Sequence, residues 1–332
     1  MLSRVAENLY WLGRYLERAE NVARMARVDF EAGLEGVRFT GEGSVWDGLL
    51  AAMDARAAFE AARAADPELS AADFLLFSEN NVGSLRSMVD QARWLARGLR
   101  EHISREAWEE INGLYLTLSN HPHAVDAELE QVCGDIRRRV QTVLGLYDNT
   151  ALRDEGREWF RCGMFIERAD MTSRILDAKY HILLPDASEV GGPLDRFQWM
   201  AILRSASAWE AYHKIGRREV NAPAVVELLA FNREFPRSLL FSVMALRRHY
   251  EQATAETPPA RRIAALREIV LLELDVSTLR IDEVVRGGLH EFLDDFQARL
   301  IKIDEAVTGN IFRLIPEPVA VQQQQQWQHR WQ

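Results

Sequence analysis

Cysteine is scarce, proline is sparse, and long apolar runs are missing from this 332-residue chain, which has two cysteines and ten prolines. Each scarcity excludes a class of protein. Cys133 and Cys162 are too few for a disulfide framework and form no metal spacing with each other, so they read as free thiols in a reducing compartment. No stretch approaches the roughly 18 uninterrupted apolar residues that a membrane span needs. Residues 1–20 are charged throughout and hold no apolar signal core, so the expected location is the cytoplasm. Cationic charge is in deficit: 40 Lys and Arg stand against 50 Asp and Glu, a formal net charge of -10. A nucleic-acid backbone is therefore excluded as the main partner, because binding it needs a cationic surface. Gly-x-x-x-x-Gly-Lys, Gly-x-Gly-x-x-Gly, Gly-x-Ser-x-Gly and His-Glu-x-x-His are all missing. No phosphate cradle, hydrolase elbow or zinc-protease helix is encoded, and the expectation is that the chain binds no cofactor or metal of its own.

Helical signals fill what remains. Hydrophobic residues make up 48% and charged residues 27%, the mix of a globular protein with a core. Leu9, Leu12, Leu16, Ala19 and Ala23 recur at helical spacing, with charges between them. Similar stripes run through 85–99, 107–118, 129–146, 160–176, 197–213, 238–251, 262–279 and 292–311. Turn-forming residues interrupt them near 33–43, 66–67, 120–122, 185–193, 221–223 and 257–259. β-branched alternation is almost absent. The pattern predicts an all-α protein of roughly ten to twelve helices. From Pro316 the composition changes to a glutamine run, 322–326, with Trp327 and Trp331 among polar residues, so 316–332 reads as a disordered tail.

The most informative feature is an internal repeat. Gly13-Arg14-Tyr15-Leu16-Glu17-Arg18-Ala19-Glu20 aligns with Gly163-Met164-Phe165-Ile166-Glu167-Arg168-Ala169-Asp170, 150 residues later, and Arg24 aligns with Arg174. The register continues with small slips: Trp46 with Trp199, Phe59 with Tyr212, Phe77 with Phe231, Ser84 with Ser238. The sequence therefore predicts one helical body, 1–315, made of pseudo-symmetric halves 1–150 and 151–315 that meet near Asn149.

On a helix Glu17, Glu20 and Arg24 share a face with Tyr10 and Gly13, and Glu167, Asp170 and Arg174 share the matching face. A solvated face laced with ion pairs would be free to drift between copies, yet both keep the same residues. One reading is a buried ion network joining the copies. Another is a polar groove in which the acids Glu17, Glu20, Glu167 and Asp170 serve catalysis. Arg18, Arg24, Arg168 and Arg174, with Tyr10, Ser84 and Ser238, would then hold substrate. A carboxylate can orient or deprotonate an amine, and an arginine can grip a carboxylate or phosphate in a fork. Ser84 and Ser238 also suit helix N-caps. The glycines would let another helix or a ligand approach the backbone closely. Glu210-Ala211-Tyr212-His213 is a single Glu-x-x-His, short of the two such motifs and two further glutamates that a helical di-iron site needs. Arg137, Arg138 and Arg139, and Arg261 and Arg262, are local basic clusters able to grip an oxyanion or to lie solvated.

Residues 1–20, with Leu9-Tyr10-Trp11-Leu12-Gly13-Arg14 leading into Glu17-Arg18-Ala19-Glu20, resemble the opening signature of the Alpha-E family. Glu167–Arg174 resembles its second signature. Phe235-Pro236-Arg237-Ser238 resembles a third, with Asn81-Val82-Gly83-Ser84 as the first-half counterpart. One departure is Ala92-Arg93-Trp94-Leu95-Ala96-Arg97, where Trp94 and Leu95 stand in place of an acid and an amide; a polar site built on those positions would be altered here. The resemblance implies partnership with a circularly permuted ATP-grasp amide ligase, encoded beside or fused to such proteins, often near a transglutaminase-like protease. ATP and Mg would then sit on the ligase.

Overall fold

The computed structural model describes residues 1–34, 44–181, 190–217 and 219–313. The glutamine run and both tail tryptophans lie outside these residues. Among the described residues every regular element is helical, with fourteen α-helices and no strand. The sequence stripes undercount them because short helices sit in the connections.

Two long helices organise the body: α1 (Ser3–Leu34) and α7 (Glu155–His181). α1 packs along α7 and is flanked by α4 (Leu85–Gly98) and α6 (Asp126–Thr150), with α5 (Arg105–Ser119) bridging those two. α7 is flanked by α11 (Leu239–Ala253) and α14 (Leu289–Val307), with α12 (Pro259–Thr278) bridging those two. The connections cross over: the short α2 (Asp47–Ala52) lies on α7, and α8 (Pro193–Ser205) touches α1. One hydrophobic core runs from Ala6 to Phe312.

The local sequence accounts for the helix ends. Ser84, Ser104, Asn221 and Ser238 each hold extended backbone and accept a backbone N–H with the side chain, capping α4, α5, α10 (Ala222–Val226) and α11. Pro193, Pro223 and Pro259 occupy the first turns of α8, α10 and α12, where no N–H partner is needed. The single stripe expected over 197–213 is broken: α8 ends at Ser205 and α9 (Trp209–Lys214) begins after a turn in which Ser207 has φ +50°. Asp54 has φ +49° in the turn between α2 and α3 (Arg56–Ala65). Neither reversal is written in the sequence by a glycine, and the absence of one at Ser207 is why a continuous stripe is expected over 197–213. Two of the π-helical turns, Asp73–Phe77 and Glu227–Phe231, each end in an extended residue that leads toward a capping serine.

α1 and α7 are buried on nearly all sides. In α1 the stripe Leu9, Leu12, Leu16, Ala19 and Ala23 is sealed, and so is the polar face of Tyr10, Gly13, Glu17, Glu20 and Arg24. α7 buries Trp159, Phe160, Met164, Ile166 and Ala169 together with Glu167, Arg168 and Asp170. A helix surrounded in this way must find partners for its charges inside the protein.

Candidate functional site

The site begins where α1 and α7 cross. A Cβ at Gly163 would stand 1.8 Å from the Tyr10 carbonyl oxygen, and one at Gly13 would stand 2.2 Å from the Phe160 carbonyl oxygen. Backbone therefore meets backbone, and glycine on both helices is what permits it. The neighbouring obstacle in each case is a carbonyl of the other long helix, which no side-chain rotation can relieve.

One turn further along, the two Glu-Arg dipeptides exchange partners. Arg168 of α7 grips Glu17 of α1 with both arms of its fork, Nε to Oε1 at 2.9 Å and Nη2 to Oε2 at 2.9 Å. In return, Nε of Arg18 on α1 donates to Oε1 of Glu167 on α7. Each acid takes a second arginine from a different source. Glu17 receives Arg237, which stands just before α11, at 3.0 Å. Glu167 receives Arg14 of α1 at 2.8 Å, and Arg14 also donates to Asp304 of α14 at 2.8 Å. Tyr10 donates its hydroxyl to Asp304 at 2.5 Å. Arg237 extends the network to Glu20 at 2.9 Å, and Glu20 is held by Nη1 of Arg24 at 2.7 and 2.6 Å. Asn21 completes it by donating to Glu17 at 3.1 Å and accepting from Arg24. Arg24 ties this end to the α8–α9 turn by donating to the Ser205 carbonyl.

Burial and charge set the protonation states. Burial alone would push the Glu17 carboxyl up, but Arg168 and Arg237 outweigh it and hold the group down at about 2. Glu20 and Glu167 are likewise pushed up by burial and brought below the usual carboxylate range, by Arg237 and Arg24 in one case and Arg18 and Arg14 in the other. Burial and the like charge of Arg237 lower Arg24 to about 10 against the pull of Glu20. All three acids are ionised counter-charges at neutral pH.

Every residue singled out in the sequence can now be placed. Glu17, Glu20 and Glu167 are 0% exposed, so they sit in a sealed interior where an open groove was expected. Asp170 and Arg174 pair with each other at 2.8 Å at the edge of the network, with the Arg174 side chain 28% exposed. Arg18 keeps 30% of its side chain in solvent. Tyr10 is interior. Ser84 and Ser238 act as caps: Ser84 accepts from the Ser87 N–H at 3.1 Å and donates to the Ser78 carbonyl at 2.6 Å, and Ser238 accepts from the Phe241 N–H at 3.0 Å. Trp94 is exposed on α4 while Leu95 is buried in the core, so the altered pair divides between solvent and packing. Sequence reasoning missed Arg14, Asn21, Arg237 and Asp304 as members of the network. Arg14 and Arg237 stand inside the motifs already described, and only their lack of a matching arginine in the other copy kept them out; Asp304 has no such signal.

Among the described residues one group has the composition for a cation: Asp177, His290 and Asp294. Nδ1 of His290 faces Asp177 at 2.7 Å and Nε2 faces Asp294 at 3.5 Å. An imidazolium between two carboxylates accounts for that geometry, and the bond to Asp177 is the main cause of the raised His290 pKa. His213 of the lone Glu-x-x-His motif is exposed and bonded to the Trp209 carbonyl at 2.9 Å. Cys133 and Cys162 are free, buried thiols whose pKa values burial pushes up, to about 12 for Cys133. No described helix is long and apolar enough to cross a membrane.

The chain is 25% identical over 328 residues to an uncharacterized protein of Mycobacterium bovis, the alignment covering 92% of this chain and 36% of that protein. Uncharacterized proteins from two strains of Mycobacterium tuberculosis are 25% and 24% identical over the same coverage. The chain thus spans about a third of the length of these curated relatives. No solved structure matches it. The model of the Alpha-E family, described as "a predicted alpha-helical domain with a conserved ER motif", matches residues 1–312. Glu-Arg occurs twice in this sequence, as Glu17-Arg18 and Glu167-Arg168, and these are the dipeptides that exchange partners between α1 and α7. The chain belongs to the Alpha-E family.

Proposed function

We propose that this domain is the helical partner of an ATP-grasp-type amide ligase, and that its exchanged Glu-Arg pairs brace the surface it offers to that enzyme. Family membership supports the reading through the company that Alpha-E proteins keep. The observation that carries it is the length of the relatives: the matched region is 36% of each, so there the domain works as one part of a longer polypeptide. In this reading ATP and Mg belong to the ligase, with a transglutaminase-like protease as a further member of the system.

The protein is read as two pseudo-symmetric halves, 1–150 and 151–315, followed by the tail 316–332. Support comes from matched local structure 154 residues apart: the π-helical turns starting at Asp73 and Glu227, and the caps Ser84 and Ser238. The left-handed residues Asp54 and Ser207 and the glycines of the crossing follow the same order.

Within the cluster the roles divide by exposure. Glu17, Glu20 and Glu167, ionised and shut off from solvent, suit counter-charges better than general bases, since a carboxylate held near 2 is a weak base. Substrate handling falls to the margin of the network: Arg18, Asp170 and Arg174, while Arg24 stays inside as a partner of Glu20. A plain scaffold is the competing reading.

The direct test is co-purification of the full chain with the ATP-grasp protein encoded nearest to it, with and without ATP and Mg. Recovery of a stoichiometric complex that raises amide formation is the expected result; no complex under either condition overturns the proposal. Activity separates substrate handling from scaffolding. Arg18→Gln or Arg174→Gln should lower amide formation while leaving complex and melting temperature near normal if the margin handles substrate, and should leave all three unchanged if the domain is a scaffold.

A further inference from the structure

At the end of α1 remote from its N-terminus, α1, α6 and the α8–α9 turn form a half-open surface cavity of about 310 Å³. Four arginines line it: Arg24 and Arg27 from α1, Arg137 from α6 and Arg204 from α8, with Trp209 as a wall. We infer that this cavity binds the phosphate or carboxylate group of a small metabolite, with Arg137 and Arg204 as its grip.

The cavity lining itself carries four arginines against two acids, Glu31 and Glu210. Arg24 is committed to Glu20, and Arg27 to Glu31 at 2.7 Å and Glu130 at 3.0 Å. Arg137 and Arg204 have no carboxylate partner among the described residues. Glu31 and Glu210 also line the wall, but Glu31 already serves Arg27. Two unpaired arginines thus face one unpaired acid. The half-buried Arg137 side chain reaches the cavity from α6. Arg204 is exposed, and its guanidinium lies 5.6 Å from the Trp209 ring centre, a cation–π contact beside the cavity. Two forks on different helices are what bidentate recognition of an oxyanion uses.

The fold does not require this cluster. At the positions aligned with Arg27, Arg204 and Trp209 in the other copy of the repeat stand Asp177, Ala51 and Arg56. A structural need shared by both copies would have kept arginine in both. In a chain of net charge -10, a pocket of this sign also concentrates anions that the rest of the surface repels.

The test is titration calorimetry on the full chain, with no ligase present, so its outcome is independent of the partnership proposed above. Sodium phosphate and sodium glutamate are titrated separately, with sodium chloride at matched ionic strength as the reference. Saturable binding of phosphate or glutamate over chloride is expected, and the stronger of the two identifies the group. Arg137→Gln and Arg204→Gln should each weaken it about tenfold or more, about 1.4 kcal/mol. Arg105→Gln, which removes an exposed pair with Glu109, should leave it unchanged. Arg204 makes no side-chain hydrogen bond, so its variant keeps the fold, which circular dichroism checks. Neither anion binding above chloride, or binding that both cavity variants leave intact, overturns the inference.

Discussion

Glu17 and Glu167 hold matching places in the two copies of the repeat, and each is bound by the arginine that follows the other. Their second partners differ. Glu17 draws Arg237 from the segment that caps α11, where the first copy has Gly83 in the aligned position. Glu167 instead draws Arg14 from α1, where the second copy has Met164. The consequence spreads outward. Arg237 also reaches Glu20, so Glu20 and Arg24 are drawn fully inside, whereas Asp170 and Arg174 lack that arginine and stay at the edge. A buried carboxylate needs its charge met but does not dictate from which helix. The exchanged Glu-Arg core is common to the two similar segments 13–24 and 163–174, and the supporting arginine is where they differ.

The largest disturbance should come from closing the gap on which both copies depend. Gly163→Ala puts a methyl group against the Tyr10 carbonyl, and only separation of α1 from α7 can relieve it. A loss on the order of 5 kcal/mol, read by urea unfolding, or no folded protein at all, is expected. Gly13→Ala should be nearly as severe. Next in size come the acids. Glu17→Gln leaves Arg168 and Arg237 without their shared carboxylate and should cost about 3–5 kcal/mol. Glu167→Gln should cost about 1–2 kcal/mol less, because Arg18 is partly solvated where Arg168 is buried, while Arg14 keeps Asp304 just as Arg237 keeps Glu20. Equal losses would show that the solvent access of Arg18 does not matter.

How much of this was legible beforehand depends on the range of the interaction. The all-helical class, the close approach at Gly13 and Gly163 and the capping roles of Ser84 and Ser238 follow from spacing and residue type. Those are properties of a turn or two of chain. The exchange of Glu17 and Glu167 between helices is not, because sequence shows which residues share a face and not which face it meets. The break at Ser207 was hidden for another reason: serine carries no signal for a left-handed residue. Asp304 lies 290 residues from Arg14, and nothing in its own surroundings marks it as a partner.

A smaller effect sharpens the electrostatic side. Glu17, Glu20 and Glu167 sit below their ordinary value of 4.5 in the folded chain, Glu17 at about 2. The unfolded chain therefore takes up protons first as pH falls, and the stability these acids contribute is complete above about pH 4.5 and drains away toward pH 2. Glu17→Gln should flatten that part of the stability–pH curve, as measured by thermal melts across the range. The smallest expected effect is at the caps: Ser84→Ala and Ser238→Ala should each cost about 1 kcal/mol and do so equally, since both copies use the cap in the same way.

The reciprocal pairing itself is tested most directly by a double-mutant cycle on Glu17→Gln and Arg168→Gln, each variant unfolded in urea. If these residues hold α1 to α7, the double variant should be more stable than the sum of the single losses allows, with a coupling of about 2 kcal/mol or more. Additive losses, with a coupling within about 0.5 kcal/mol, would contradict the exchange of partners between the two long helices.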